Sequence, residues 1–111
     1  MTKPLVWAQP SLKETMRSPP MSAEARKETG FLLRKLQEGH NIGFPHSRPM
    51  RNIGGGCHEL RITDREQQWR LIYYIGDDAI YILEAFNKKA QKTPYNIIEV
   101  CKDRLSKINK G

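Results

Sequence analysis

The sequence predicts an α+β domain in which helices pack on one face of an antiparallel β-sheet. Three consecutive apolar runs in the second half of the chain are joined by short turns, which is typical of an antiparallel meander. Segments with the apolar spacing of helices come before and after these runs, over 22–39 and 93–108. Elements in this order, N-terminal helices, a meander and a C-terminal helix, favour the α+β class.

The length and charge of the chain set the first bounds. With 111 residues, the chain has the length of one domain, so we predict a single domain over 1–111. We expect about three residues to fray at the N-terminus and about five in the basic C-terminal tail. The formal net charge of +7 favours an anionic partner, with nucleic acid the first candidate. Charge alone does not choose between RNA, DNA and an acidic protein.

Several protein classes are disfavoured by the sequence. No apolar run approaches the roughly 20 residues of a membrane span, and the N-terminus lacks the features of a secretory signal. Cys57 and Cys101 stand far apart, with no Cys/His cluster at zinc spacing. We interpret both as reduced thiols of a cytoplasmic protein, although the sequence is also compatible with a disulfide between them. No metal, other cofactor or membrane association is expected.

The N-terminal half alternates short elements with breaks. Residues 4–8 predict a first strand, and 11–17 a short helix that a Ser-Pro-Pro sequence ends. Ser22 is a good N-cap for a longer helix, and Gly39 supplies its stop signal. Residues 40–56 are rich in glycine and proline, which predicts a long connection.

Three strands and a last helix follow. CHELRIT alternates, which predicts opposite faces for two sets of side chains: His58, Leu60 and Ile62 on one face, and Cys57, Glu59 and Arg61 on the other. DREQ is the first hairpin turn, and Gly-Asp-Asp separates QWRLIYYI from AIYILEAF. Thr93 is predicted to cap the last helix, with Pro94 at its first position.

Basic side chains are expected to converge at one edge of this sheet. Arg61 and Arg70 lie on neighbouring strands, which are about 4.8 Å apart, and Lys88, Lys89 and Lys92 follow the third strand. Such a cluster would bind phosphate oxygens, arginine through its planar fork and lysine as a point charge. The alternative is a solvated polar face, in which Arg61 lies beside Glu59 and Arg70 pairs with Asp64 or Glu66.

Aromatic and histidine side chains leave further alternatives open. The strand aromatics, Trp69 among them, suit stacking on single-stranded RNA, but strand aromatics also favour half-buried packing. His40, His46 and His58 do not have the spacing of metal ligands. His58 shares a face with apolar residues, so a core position is an alternative to a catalytic one.

Longer stretches resemble a known family. PMRNIGGGCHELRITDREQQWRLIYYI, followed by AIYILEAFNKKAQKTPYNIIEVCKDRL, is similar to the RelE/ParE toxin superfamily, and most of all to its HigB-like, phage-derived branch. The pattern is a glycine turn, an E-L-R-I strand, an R-L-I-Y strand, a strand ending in A-F-x-K-K, and K-T-P before the last helix. The resemblance covers residues 4–105 and implies a RelE-like fold.

The resemblance implies the toxin of a type II toxin–antitoxin pair, which cleaves mRNA on the ribosome without a metal or other cofactor. Its partners would be mRNA, the ribosome and a cognate antitoxin, often a helix-turn-helix DNA-binding protein, in a hetero-oligomer. The catalytic positions it implies are Arg61, Arg70, Lys88, Lys89, His58 and Tyr95. We add as RNA contacts Lys92, Glu59, Trp69 and Arg51. Glu59 departs from the pattern, because some ribosome-dependent members have a basic residue there.

Two other functions fit the same pattern. A ParE-like toxin would inhibit DNA gyrase by binding it and would cause DNA breaks rather than loss of mRNA. An inactive prophage-derived module would bind nucleic acid or protein without affecting growth. Composition does not separate these functions from an mRNA-cleaving endoribonuclease. The lysine segment together with Arg61 and Arg70 favours the nuclease.

Overall fold

The computed structural model describes residues 2–17, 20–88 and 93–110. Its elements in chain order are β1 (Leu5–Trp7), α1 (Pro10–Thr15), α2 (Ala23–Gln37), β2 (Ser47–Pro49), β3 (Cys57–Asp64), β4 (Gln67–Ile75), β5 (Ile80–Asn87) and α3 (Tyr95–Lys110). The α+β fold class is confirmed. No helix in these ranges combines the length and the apolar composition that crossing a membrane requires.

The strands form one mixed sheet in the order β1-β5-β4-β3-β2. The predicted meander of β3, β4 and β5 is confirmed, and β1 adds to β5 in parallel. The long connection over 40–56 contains β2, which the sequence analysis missed. This strand has three residues, and it pairs with β3 at the edge of the sheet, where Pro49 is tolerated because an edge strand has unpaired positions.

One side of the sheet, face A, is covered by the N-terminal helices. Leu60 on β3, Leu71 on β4 and Ala85 on β5 are opposite one another in register and point to this face. They belong to a buried apolar cluster with residues of α2 and the chain before it: Met16, Met21, Ala25, Leu32, Leu33 and Leu36. The predicted cap is confirmed, because the Ser22 hydroxyl accepts a hydrogen bond from the Ala25 N–H at 3.1 Å.

The opposite side, face B, has its own apolar cluster. Cys57, Ile72 and Leu83 pack there against Cys101 and Leu105 of α3. The C-terminal helix therefore lies on face B, across the sheet from α1 and α2, rather than with them on one face. Alternation along the strands leaves apolar side chains on both faces, so both need a cover.

The start and end of α3 differ from the sequence prediction. The Ile97 and Ile98 N–H groups donate to the Pro94 carbonyl, so the helix begins after Pro94. The Thr93 hydroxyl, predicted to cap this helix, donates to Glu59 instead. The helix continues to Lys110, two residues past the predicted 108, so it includes the basic tail, and the fraying of that tail stays a prediction.

The two cysteines are free, as predicted, and both are buried. Both lie in the apolar cluster of face B. Burial disfavours the thiolate, and it raises the pKa of Cys57 to about 11. It also raises the pKa of Cys101 to about 12, with a smaller contribution from the nearby carboxylate of Glu84. These thiols are therefore protonated at neutral pH.

Candidate functional site

Arg61 and Arg70 lie directly opposite each other on β3 and β4. Both point to face B, next to the part of that face that α3 covers. They line a pocket of about 280 Å³ together with side chains of the strands, the 45–46 turn and α2: Glu28, Pro45, His46, Thr63 and Gln68. The predicted convergence of the two arginines is confirmed. The cause is the short β3–β4 turn, which fixes their register.

Glu59 lies at the centre of this part of face B. Its side chain has no exposed surface. One carboxylate oxygen, Oε1, accepts a hydrogen bond from Arg48 Nε at 3.2 Å, and Oε2 accepts one from the Thr93 hydroxyl at 2.8 Å. Because Glu59 is fully buried, it is not available for the direct RNA contact predicted for it.

Arg70 is almost fully buried and its guanidinium is oriented from two sides. Its Nε lies 3.6 Å from Glu59 Oε1 and makes no hydrogen bond. Its NH1 donates to the Trp69 carbonyl at 2.9 Å, and both terminal nitrogens lie 3.5 Å from Gln68 Oε1. The predicted alternative partners, Asp64 and Glu66, are wrong, since the carboxylate that Arg70 contacts is that of Glu59.

Electrostatics at Arg70 reflect this burial. Loss of hydration lowers the pKa of Arg70, Glu59 opposes that shift, and the charges of Arg61 and Arg48 add to it. Arginine nevertheless stays charged at any physiological pH. A buried permanent cation beside another arginine favours an anion that would enter the pocket.

Lys88 joins the same group of charges at the end of β5. Its backbone N–H donates to the Gln68 carbonyl at 2.6 Å, and its side chain is nearly buried. Burial is the main cause that lowers the pKa of Lys88, Glu59 opposes it, and Arg70, Arg48 and Arg61 lower it further.

Arg48, Arg61, Arg70 and Lys88 form what we call the basic cluster. These four cations stand against two carboxylates, that of Glu59 and that of Glu28 at the pocket rim, so a surplus of two positive charges remains. Within the described ranges, no group of three or more His, Cys, Asp and Glu side chains could hold a metal ion. The surplus of positive charge suits the basic cluster to an anion.

Two of the predicted site residues lie on face A, away from the basic cluster. The His58 ring stacks on Tyr73 at a centroid distance of 5.3 Å. Trp69 is buried in the core, and its Nε1 donates to Asp64 at 3.2 Å. Strand alternation puts both on the side opposite Glu59 and Arg70, so neither reaches the pocket. The prediction of RNA contact by Trp69 is wrong.

The remaining predicted residues are spread around the pocket or lie outside the described ranges. Tyr95 is 74% exposed at the first position of α3, two residues after Thr93, and a hydrogen bond to Glu99 raises the pKa of Tyr95. Arg51 is exposed in the turn after β2. Lys89 and Lys92 lie outside the residues that the structure describes.

The sequence analysis missed two residues of the site. Arg48 belongs to β2, which has no alternating pattern, and Thr93 was assigned to a helix cap. A partial signal was present in CHELRIT, where Glu59 shares a face with Cys57. A carboxylate on a buried strand face needs cationic and hydrogen-bonding partners, but the sequence does not show that Arg48 and Thr93 supply them.

Larger pockets lie elsewhere, and two of them lack this charge surplus. The pocket between α3 and the chain after β1, about 620 Å³, has Glu99 and Asp103 beside Arg104 and Lys107. A pocket of about 660 Å³ at the β3–β4 turn likewise has both acidic and basic residues. A third pocket, of about 420 Å³ on the side of α1 and α2, has a positive surplus of its own from Lys13, Arg17 and Arg26, with no acidic residue. Its three cations are exposed, whereas Arg70 and Lys88 are buried. We therefore select the basic cluster as the candidate for binding an anion because its cations are buried and fixed in position, not because of pocket size or charge alone.

Comparison with family models identifies a family for this chain. A family model described as phage-derived protein Gp49-like (DUF891) matches residues 20–106. The matched segment includes the whole basic cluster, Glu59 and Thr93. A comparison with curated proteins finds no match.

Proposed function

The chain belongs to the phage-derived Gp49-like family, and from this premise we propose that it is the toxin of a type II toxin–antitoxin pair. In this proposal it is an endoribonuclease that cleaves mRNA in a ribosome-dependent way in the cytoplasm and so inhibits translation. The resemblance of the strand and lysine motifs to HigB-like members of the RelE/ParE superfamily supports the choice of activity.

The observation that carries the proposal is the pair of opposed arginines in a pocket with a surplus of positive charge. A phosphodiester has two non-bridging oxygens that share its negative charge. A guanidinium fork can bind both, and bidentate contacts of this kind are strong. Arg61 is partly exposed, whereas Arg70 on the neighbouring strand is almost fully buried. The two guanidinium groups therefore offer hydrogen-bond donors at different depths of the pocket.

In the proposed reaction, the 2′ hydroxyl of the RNA attacks the adjacent phosphorus. The P–O2′ bond forms and the P–O5′ bond breaks, which leaves a 2′,3′-cyclic phosphate and a 5′ hydroxyl. Arg61 and Arg70 hold the phosphate in line and stabilise the charge that develops on its non-bridging oxygens. Water supplies the proton that the leaving 5′ oxygen takes up.

Lys88 is our candidate for the group that accepts the 2′ proton. A general base must be partly neutral near the working pH, and the pKa of Lys88 is lowered by burial and by its cationic neighbours. The basic cluster contains no histidine, and His46 lies at the rim of the pocket. A site with one lysine base is a weak catalyst alone, which fits a need for the ribosome to position the RNA.

The proposed partner is a cognate antitoxin, a helix-turn-helix protein with an acidic segment that neutralises the toxin in a hetero-oligomer. The net charge of +7 and the open basic pocket favour binding of such a segment. Occupation of the pocket by its carboxylates would exclude the phosphates of RNA.

The test is to induce the chain in cells and to map the 5′ ends of a reporter mRNA. Arg61→Ala and Arg70→Lys are compared with Arg104→Ala, which removes an arginine that pairs with Glu84 on the same face outside the pocket. We expect cuts within translated codons, lowered on the order of 100-fold in the first two variants and unchanged in the control.

Two other results would identify a different function. DNA breaks and an SOS response with intact mRNA would establish a ParE-like gyrase inhibitor. Normal growth on induction would favour an inactive binding module. A parallel assay with purified chain, with and without ribosomes, decides whether cleavage depends on the ribosome.

A further inference from the structure

The fully buried Glu59 is connected to three separate parts of the chain. Its carboxylate binds Arg48 of β2, lies beside Arg70 of β4, and accepts the hydroxyl of Thr93 just before α3. These contacts use both carboxylate oxygens. No other carboxylate in the described ranges is both fully buried and shared among so many elements. Burial of such a group is costly, and a hydrophobic residue of similar size is often as stabilising.

Glu59 lies on one side of the Arg70 guanidinium, in an ion pair without a hydrogen bond to Nε. The Nε edge of the guanidinium lies against Glu59, and the terminal nitrogens lie beside Gln68, which lines the pocket. Without the carboxylate, the Nε edge of Arg70 would have no anionic neighbour and the side chain could turn.

Glu59 also holds the chain on one side of residues 89–92. Thr93 is bound by the carboxylate, and on the other side the Lys88 N–H donates to the carbonyl of Gln68, two residues before Arg70 in sequence. Lys88 and Thr93 are thus both fixed relative to Arg70.

We propose that Glu59 is a positioning residue, whose buried carboxylate orients Arg70 toward the pocket and anchors Thr93, so that Arg70 and Lys88 keep a fixed relation. The catalytic consequence rests on the proposed function, whereas the orientation of Arg70 does not. Glu59 touches neither RNA nor the reacting atoms.

The test compares Glu59→Gln with the matched control Glu84→Gln. Glu84 is also a carboxylate of face B that pairs with an arginine, Arg104, at 3.4 Å, but it lies outside the pocket. Two readouts are measured: kcat and KM for cleavage of a ribosome-bound mRNA, and the NMR signal of the Arg70 Nε–H group. Glu59→Asp, which keeps the charge on a shorter side chain, tests for rescue.

In Glu59→Gln we expect kcat to fall on the order of 10- to 100-fold with KM changed less, and the Arg70 Nε–H signal to shift. Glu59→Asp should restore part of both, and Glu84→Gln should leave both unchanged. If Glu59→Gln does not fold, Thr93→Val takes its place, because it removes one hydrogen bond to Glu59 and keeps the charge. We then expect a smaller loss of kcat.

Glu59→Gln or Thr93→Val variants that match Glu84→Gln in kcat and in the Arg70 signal would overturn the proposal. If the unmodified chain cleaves no mRNA, the proposed function fails. The NMR signal of Arg70 alone then decides whether Glu59 orients Arg70. A shift in Glu59→Gln and none in Glu84→Gln would still support positioning by Glu59, and equal signals would refute it.

Discussion

Face B contains two buried regions that are built in different ways. Under α3, apolar side chains pack against one another: Cys57, Ile72 and Leu83 of the strands contact Leu105 and Cys101 of the helix. A few residues along the same strands, Glu59 and Arg70 are as deeply buried, but they are covered by other charged side chains.

The two buried regions of face B contribute differently to the stability of the fold and to its function. Apolar burial contributes roughly 25 cal/mol for each Å² removed from water, so the region under α3 stabilises the fold directly. A buried charge cluster repays its loss of hydration only when its geometry is good, and it is weak evidence for stability. The basic cluster is therefore better explained by what it binds than by what it adds to folding.

The largest expected change in stability comes from removing the centre of the charged region. Glu59→Ala leaves Arg70 and Lys88 buried beside other cations with no carboxylate between them. Loss of one partner of a buried pair costs about 3–5 kcal/mol. Urea unfolding followed by circular dichroism measures this. Glu84→Ala is the control and should cost less, because the Glu84–Arg104 pair keeps 16% and 20% of its side-chain surface exposed.

The next effect comes from the apolar region. Leu105 is buried against Gly54 and the strands, and Leu105→Ala is expected to cost about 2–5 kcal/mol because it leaves a cavity under α3. Since Leu105 does not line the pocket, activity measured well below the melting temperature should be unchanged. A variant that stayed stable but lost activity would contradict the division of face B into these two regions.

Alkaline pH gives a smaller effect that has opposite signs in the two regions. The pKa of Cys57 is about 11 in the folded chain against an ordinary 9.0, so its stabilising contribution is complete below pH 9 and is lost as pH rises toward 11. The loss between pH 8 and 10 is expected to be about 1 kcal/mol. The measurement is the urea midpoint against pH, with Cys57→Ala as the variant in which this part of the decline is absent.

Much of the fold follows from local pattern. Alternation in CHELRIT assigns each side chain to its face, and the Ser22 cap marks the start of α2. The side of the sheet that α3 takes does not follow, because an apolar stripe shows which side of a helix is buried but not against which face. The three residues of β2 are held by pairing with β3, which no local pattern reveals.

The site was predictable in part for the same reason. The opposition of Arg61 and Arg70 follows from the register of a hairpin with a short turn. The burial of Glu59 does not follow from its neighbours in sequence, since a glutamate next to an arginine is typical of a solvated strand face. It depends on Arg48 and Thr93, which lie 11 and 34 residues away and reach Glu59 only in the folded chain.

The smallest change is expected from Lys88, because Glu59 offsets part of the effect of burial on its pKa. The pKa of Lys88 is lower in the folded chain than its ordinary 10.5, so the unfolded chain binds more protons between these two values. Lys88 thus makes stability rise with pH in that window, and the gain is lost as pH falls through the folded pKa.

Lys88→Met removes the rise, so we expect the difference in urea midpoint between the unmodified chain and this variant to increase with pH up to about 10.5. A difference that is constant from pH 7 to 10.5 would mean that Lys88 titrates as it does in water, and it would remove Lys88 as the proposed base.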